Sequence, residues 1–417
     1  MMKQEQVGRQ PVRQRRIPDL FWGVSFFLLM LSVICFGGGD RGSNYYYYFT
    51  FFLFVGYTLI LSLVRGGKRL RVQLPMQTVW YGMFIVLSLL SCLWADSVPS
   101  VLYPISRMVQ ILAITYCMSL YIDSTERLER YITALLAATL FMIFYIYIRT
   151  PRTRWFAGFL GQVTHYNTND VGCALSVCVL FAFYEAYVRK KKICYALAAL
   201  ALLTAALTSS RKALLMCVFG ILMIVAFHYR EHNYILRVLI FLMGLTAVII
   251  LIYRVPILYG AVGWRLNKMV NYVMNEDASD YSLFTRQFFI DMAKTFFEEK
   301  PLLGIGLHNF SFRIRDYSNV SAYAHNNYME IAADLGIVGL IMYYWFYAYL
   351  VLKLAKQMLN GHKNALLFLP MMLLFVVFEY GMVNYYKTQV QMGLAAAFTA
   401  VVINDAEDRR IAAKEAA

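Results

Sequence analysis

Charge is scarce in this sequence. Asp, Glu, Lys and Arg make up 15% of its 417 residues, against about 25% in soluble domains, so there is too little polar surface to clothe a soluble protein of this size. Hydrophobic residues reach 60% and the mean hydropathy is +0.54; the chain is an integral membrane protein. Long polar stretches are rare enough to exclude a separate soluble domain, and no internal repeat or low-complexity segment occurs. The seven cysteines, Cys35, Cys92, Cys117, Cys173, Cys178, Cys194 and Cys217, all lie in or beside apolar runs and form no C-x-x-C. That placement argues against a disulfide framework and against a cysteine-ligated metal.

What remains is a succession of apolar runs. A spanning helix needs about 20 apolar residues, and stretches at 20–36, 45–64, 76–93, 103–122, 131–148, 171–188, 193–208, 213–229, 235–253, 331–352, 365–380 and 386–403 meet or approach that length. The expected fold is an all-α polytopic membrane protein of about twelve spans. The expected organisation is membrane helices over 1–253, one large loop over 254–330, and the last helices with a tail over 331–417. The first run follows Arg9, Arg13, Arg15 and Arg16 but is long and lacks an A-x-A site, so it reads as an uncleaved helix rather than a signal peptide.

An N-terminus inside the cell puts the linkers Arg65 to Pro75, Asp123 to Arg130, Arg189 to Lys192, His228 to Asn233 and Lys353 to Lys363 in the cytoplasm, which collects most short-loop cations there. The C-terminus is then also inside, and the large loop outside. This orientation leaves Arg107, Arg149, Arg152, Arg154, Arg211 and Lys212 at outer ends of spans, where cations are not expected. Short outer loops tolerate some basic residues. An arginine-dominated set from separate segments, however, suits an anionic headgroup, because the guanidinium matches phosphate oxygens in a planar fork. Tyr45 to Tyr48 read as an interfacial aromatic belt.

Within the large loop, Phe284, Phe288, Met292 and Phe296 recur at helical spacing between Ser282, a candidate cap, and Lys300-Pro301, which ends the helix. An amphipathic helix over the membrane surface or a cavity is expected. Gly304 and Gly306 then permit a tight turn before His308 and Asn309. A second helix begins near His325 or Asn326 and runs into the tenth span. The stretch from Pro301 to Leu340 gathers two histidines, four asparagines and paired glycines in an otherwise apolar chain, and is the expected chemical centre.

These residues carry a resemblance. The segments T-S-S-R-K-A-L-L (Thr208 to Leu215), S-L-F-T-R-Q-F-F (Ser282 to Phe289), K-P-L-L-G-I-G (Lys300 to Gly306), A-H-N-N-Y-M-E (Ala324 to Glu330) and D-L-G-I-V-G-L (Asp334 to Leu340) are similar, in order, to motifs of the O-antigen ligase and O-antigen polymerase superfamily. That family's topology of about twelve helices with one large outer loop late in the chain covers nearly all of this sequence. The resemblance implies a glycosyltransferase of the bacterial cytoplasmic membrane, working on its outer face. Its donor would be a glycan on undecaprenyl diphosphate, and its acceptor a hydroxyl on a glycan, lipid or protein. Membrane lipids are its other expected partners; a nucleic-acid partner and a cofactor are not expected.

The resemblance assigns His325 as the base that takes the acceptor's proton, a task a neutral imidazole suits, and Arg211 and Arg286 as catalytic cations for the diphosphate leaving group. Arg154, Arg152, Arg107 and Lys212 are further candidates for holding that anion, with His308, Asn326 and Glu330 as other substrate-binding candidates. Glu330 or Asp334 would orient the base. Asp334 stands where the family more often has glutamate, and His308 is an additional histidine, so which histidine acts stays open. With no D-x-D motif and no cluster of histidine and carboxylate ligands in the outer loops, the reaction is expected to be metal-independent. The patch Glu276, Asp277 and Asp280 reads as solvated. Inversion at the anomeric carbon is implied by the resemblance. Two other readings are a transporter or flippase of lipid-linked glycan, with Glu185 and Glu379 as midplane groups, and a non-catalytic scaffold to which Arg211 and His325 would be dispensable.

Overall fold

The computed structural model describes residues 12–35, 45–65, 74–155, 160–164, 168–229, 234–256, 259–275 and 281–415. The apolar runs fold as helices α1 (Val12–Cys35), α2 (Tyr45–Arg65), α3 (Met76–Leu90), α4 (Val98–Tyr121), α5 (Thr125–Arg149), α6 (Thr168–Tyr187), α7 (Ile193–Leu207), α8 (Arg211–His228) and α9 (Tyr234–Arg254). After α10 (Trp264–Asn275) and α11 (Tyr281–Glu299) come α12 (Asn327–Leu359), α13 (Ala365–Phe378) and α14 (Thr388–Glu415). Each of the twelve apolar stretches of the sequence therefore lies on a helix. Among the described residues, eight helices are long and apolar enough to cross a membrane, and three shorter apolar helices lie at Ile193–Leu207, Phe241–Arg254 and Ala365–Gly381. Arg9, most of the linker from Arg65 to Pro75 and the acidic patch Glu276, Asp277 and Asp280 fall outside the described residues.

Polar side chains from different helices meet at two ends of the bundle. At one end, the buried Asp19 of α1 accepts from Arg65 of α2 at 2.6 Å and from the Tyr121 hydroxyl at 3.1 Å, and pairs with Arg130 of α5 at 2.5 Å. Lys191 pairs with the buried Glu185 at 2.6 Å, and Gln357 of α12 hydrogen-bonds Asp405 of α14 at 2.8 Å. A buried carboxylate is tolerable only when paired in this way. Glu185 thus sits among cations at a helix end. Glu379, by contrast, is held by the Tyr344 and Tyr347 hydroxyls at 2.6 and 2.5 Å and by Asn327 Nδ2 at 3.0 Å.

The opposite end carries the glycine turn and α11. Helix α11 packs on the start of α12 through Phe289, Ala293 and Phe296, which meet Ile305, Phe310, Ile314 and Ala333, with Phe288 and Met292 at the flank. The inward stripe is thus displaced from the one the spacing predicts: Phe284 is 55% exposed. Ser282 lies on the helix, whose described part begins at Tyr281. Beyond α11, Arg313 pairs with both Asp96 and Glu299, stapling the end of α11 to the connection after α3.

The junction between the glycine turn and α12 fixes this end. At Gly336 (φ 64°, ψ −162°) α12 is broken. The amides of Ile337 and Val338, deprived of the carbonyls one turn back, donate to Pro301 and Leu302 at 2.9 and 3.3 Å. The carbonyls they leave behind, Ala333 and Asp334, accept from Ile305 and Gly306 at 2.9 and 2.8 Å. Gly304 likewise has a positive φ (67°). Two Leu-Gly-Ile segments, 303–305 and 335–337, therefore exchange backbone hydrogen bonds that each would otherwise make within itself, so no buried amide is left unmet. A Cβ on Gly336 would lie 2.3 Å from the Leu302 carbonyl oxygen, and one on Gly304 would lie 2.3 Å from the Asp334 carbonyl carbon.

Gly336→Ala is expected to destabilise the purified protein by roughly 2 kcal/mol or more, through the positive φ and the clash together. Gly82→Ala, where a Cβ meets nothing within 4 Å, is expected to be neutral or slightly stabilising. Thermal unfolding in detergent compares the two; equal melting temperatures would contradict the exchange.

Candidate active site

Three of the residues expected from the sequence converge on one small pocket. It has a volume of about 30 Å³ and is lined by Lys212, Arg286 and His325, together with Asp170, Tyr323, Met382, Tyr386 and Lys387 among others. Lys212 stands in the first turn of α8, whose start is capped by Ser210 Oγ accepting from the Ala213 amide. Its ammonium donates to the Gly381 carbonyl. Arg286 comes from α11, and Lys387 from the residue before α14, where its Nζ lies 3.5 Å from Asp170 Oδ2. The three cations and one carboxylate lining the pocket leave an excess of two positive charges, and the positive end of the α8 dipole adds to that field. A doubly charged oxyanion is the ligand this field favours.

His325 owes its position to the H-N-N-Y-M-E run. Glu330 Oε2 accepts from the Ala324 amide at 2.7 Å, fixing the backbone just before the histidine. Asn326 caps α12 by accepting from the Met329 amide, and Asn327 ties the helix start to Glu379. Between these anchors His325 is held at φ 55°, a left-handed conformation that few non-glycine residues adopt. Its ring stacks on Phe289 at 5.9 Å between centroids and lies 4.1 Å from that of Tyr323. Burial, then Arg286, then Lys212, push its pKa down to about 4. The imidazole is therefore neutral around pH 7.

His308 is also at positive φ (59°), held by its amide donating to Asp334 Oδ2 at 2.6 Å while the Phe310 amide donates to Asp334 Oδ1 at 2.8 Å. So Asp334 clamps the turn that bears His308, and Glu330 the turn that bears His325. Neither carboxylate bonds the ring of its histidine. Burial is the first cause that lowers the pKa of His308 as well.

The other expected residues are dispersed. Arg211, in the first turn of α8, adjoins Lys212 without lining the pocket. Arg107 is buried in α4, with Nε donating to Thr388 Oγ1 at 3.1 Å and its guanidinium 5.2 Å from the centre of the Tyr47 ring. Arg152 and Arg154 are exposed on a single turn after α5. Sequence reasoning passed over Lys387 and Asp170. Lys387 had a readable signal, because it is a lysine at the same end of a span as Lys212; Asp170, one acidic residue among polar ones at Thr168–Asp170, had none. Among the described residues, no group of three or more His, Cys, Asp and Glu side chains is arranged to hold a metal ion.

A lowered histidine pKa carries a stability signature. Between pH 6.5 and about 4 the unfolded chain protonates His325 and the folded one does not, so folded-state stability is full above pH 6.5 and declines as pH falls towards 4. His325→Gln is expected to flatten that decline, by an amount on the order of 3 kcal/mol at most, in unfolding followed from pH 7 to 4. Parallel profiles for the two proteins would count against a neutral, buried imidazole.

Comparison with known proteins bears on the same region. No curated protein matches the chain. Residues 196–344 match the model of a family described as O-antigen ligase, a segment that spans Lys212, Arg286, His308, His325 and the two exchanging glycine turns, and stops short of Lys387. That match, over the segment 196–344, supports the O-antigen ligase/polymerase superfamily.

Proposed function

We propose that the chain is a glycosyltransferase that moves surface-polysaccharide units from a polyprenyl-diphosphate donor to an acceptor hydroxyl on the outer face of the bacterial cytoplasmic membrane. Both termini are cytoplasmic in this reading, the region 254–330 faces outward, and the three shorter apolar helices and α14 cross the membrane with the other eight. The observation that carries the reading is the convergence of Lys212, Arg286, Lys387 and His325 on one pocket. The donor's diphosphate sits against the cations, with Arg211 adding to their field. Met382 borders both this pocket and an apolar crevice of about 50 Å³ lined by Met30, Ile34, Leu135 and Phe181 among others, which suits the first isoprene units of the lipid.

The acceptor hydroxyl attacks the anomeric carbon and gives its proton to His325. The carbon–oxygen bond to the diphosphate breaks on the opposite side, with inversion, and the electron pair leaves on the lipid diphosphate. Charge that builds on this leaving group is met by fixed cations, so their attraction strengthens towards the transition state. After burial, two of these cations, Arg286 and Lys212, depress His325. A seated diphosphate offsets their charge and raises the basicity of the imidazole, so the base gains strength only once the donor is in place.

His325→Ala is expected to lower transfer at least about a hundredfold while donor still co-purifies with the protein, whereas Lys212→Ala and Arg286→Ala weaken donor retention. Unimpaired movement of lipid-linked glycan across the membrane by His325→Ala would point to a transporter instead. A ladder of products from one purified lipid-linked repeat identifies a polymerase, and a single transfer to a different acceptor identifies a ligase. Removal of Arg286 relieves part of the depression of His325, so the acid limb of the residual activity of Arg286→Gln is expected at higher pH than in the parent. An unmoved limb would remove His325 from the role of base.

A further inference from the structure

A second cavity, about 520 Å³, adjoins the basic pocket. The two share Tyr323 and Tyr386, which form the partition between them. On its own side the cavity is lined by Tyr103 from α4 and by His308, Ser311, Phe312 and Arg315 from the turns after the glycine exchange. Among the described residues, no carboxylate lines it. Tyr103 is 63% exposed, and its ring meets the His308 ring edge-on at 5.4 Å, with the Tyr386 ring 6.2 Å from His308 on the other side. Aromatic rings beside hydroxyl and imidazole groups suit a ligand that is apolar on its ring faces and polar at its rim, as a sugar is.

The ring of His308 is set for one task. Ser311 Oγ lies 2.9 Å from the His308 carbonyl oxygen and 2.6 Å from His308 Nδ1. A carbonyl can only accept, so both contacts are hydrogen bonds only if the Ser311 hydroxyl donates to the carbonyl and Nδ1–H donates to Oγ. That fixes the neutral tautomer in which Nε2 is an acceptor. The left-handed backbone that aims this ring is held by a buried carboxylate, Asp334, and a strained conformation so firmly secured marks a functional position.

We propose that the larger cavity is a saccharide subsite that seats the acceptor chain, with His308 Nε2 accepting a hydrogen bond from a sugar hydroxyl and Tyr103 packing against a sugar ring. The proposal rests on the transferase reading and divides the labour of the two histidines. His325 takes the proton at the reacting hydroxyl, and His308 holds the chain that presents it across the Tyr323–Tyr386 partition.

Benzoylphenylalanine placed at position 103 of the full chain, irradiated in membranes of the native host, tests this directly. A glycan adduct detected by mass spectrometry is expected, and its absence overturns the proposal. His308→Asn tolerates the left-handed backbone and keeps an N–H towards Ser311 while removing the acceptor atom. It is expected to cut the adduct about tenfold, the worth of one hydrogen bond, at unchanged protein level; an undiminished adduct removes His308 from the subsite. Should His308→Asn fail to accumulate, Ser311→Ala, which frees the tautomer, is read the same way. The donor-pocket pair Lys212→Ala with Arg286→Ala should leave the adduct intact, and its loss there would mean that the cavity holds donor sugar, which overturns the acceptor assignment. His325→Ala should also keep the adduct. If that variant still transfers glycan and still forms the adduct, the role of His325 as base falls and the subsite stands.

Discussion

The site end of the molecule depends on a backbone trade. Two Leu-Gly-Ile segments each give up two hydrogen bonds of their own and take two from the other, with Gly304 and Gly336 both at positive φ. Both histidines and Arg286 hang from this exchange. The turn of His308 follows directly from it through Gly306 and is clamped by Asp334, two residues before the second glycine. The start of α12, which positions His325, is the short helical piece between the break and Asn326. Helix α11, with Arg286, packs on the residues so held, Ile305 and Ala333. Because both segments supply donors and acceptors, neither can shift without uncovering buried amides of the other, which gives a loop-built site the rigidity of a helix pair.

Electrostatics at the two ends of the bundle follow opposite rules. At the end with Asp19 and Glu185, buried carboxylates are matched by several arginines and lysines, and the cations are consumed in holding helices together. At the site end the lining cations outnumber the carboxylate, a helix start adds positive potential, and the aromatic rings of Tyr323 and Phe289 crowd His325. One end is finished without a ligand. The other has a field that an anion completes.

Much of this was legible in the sequence, for reasons that also set the limits. Hydropathy located each helix because burial in lipid requires long apolar runs, and the proline at 301 and the glycines at 304 and 306 marked the turn because few other residues serve there. The motifs named His325 and Arg286 and brought Lys212 into view. What the sequence could not supply was facing. Arg107 is at the expected end of its helix, yet it points into the α4–α14 contact at Thr388, and the inward stripe of α11 passes through Phe289 rather than Phe284. A one-residue change of stripe costs nothing in hydropathy. Nor could the docking of Leu303-Gly304-Ile305 on Leu335-Gly336-Ile337 be read from either triplet, since the bonds that unite them belong to the backbone.

The partition of Tyr323 and Tyr386 carries a consequence for the order in which the protein is made. Its two rings come from segments on either side of α12 and α13, and the pocket beside it also takes Asp170 from α6 and Lys387 from the approach to α14. A nascent chain therefore holds most of its cations at the membrane surface long before the wall that separates the two compartments exists. Only when the segment between α13 and α14 has followed, bringing Tyr386 and Lys387, does the surface divide into the basic pocket and the larger cavity beside it.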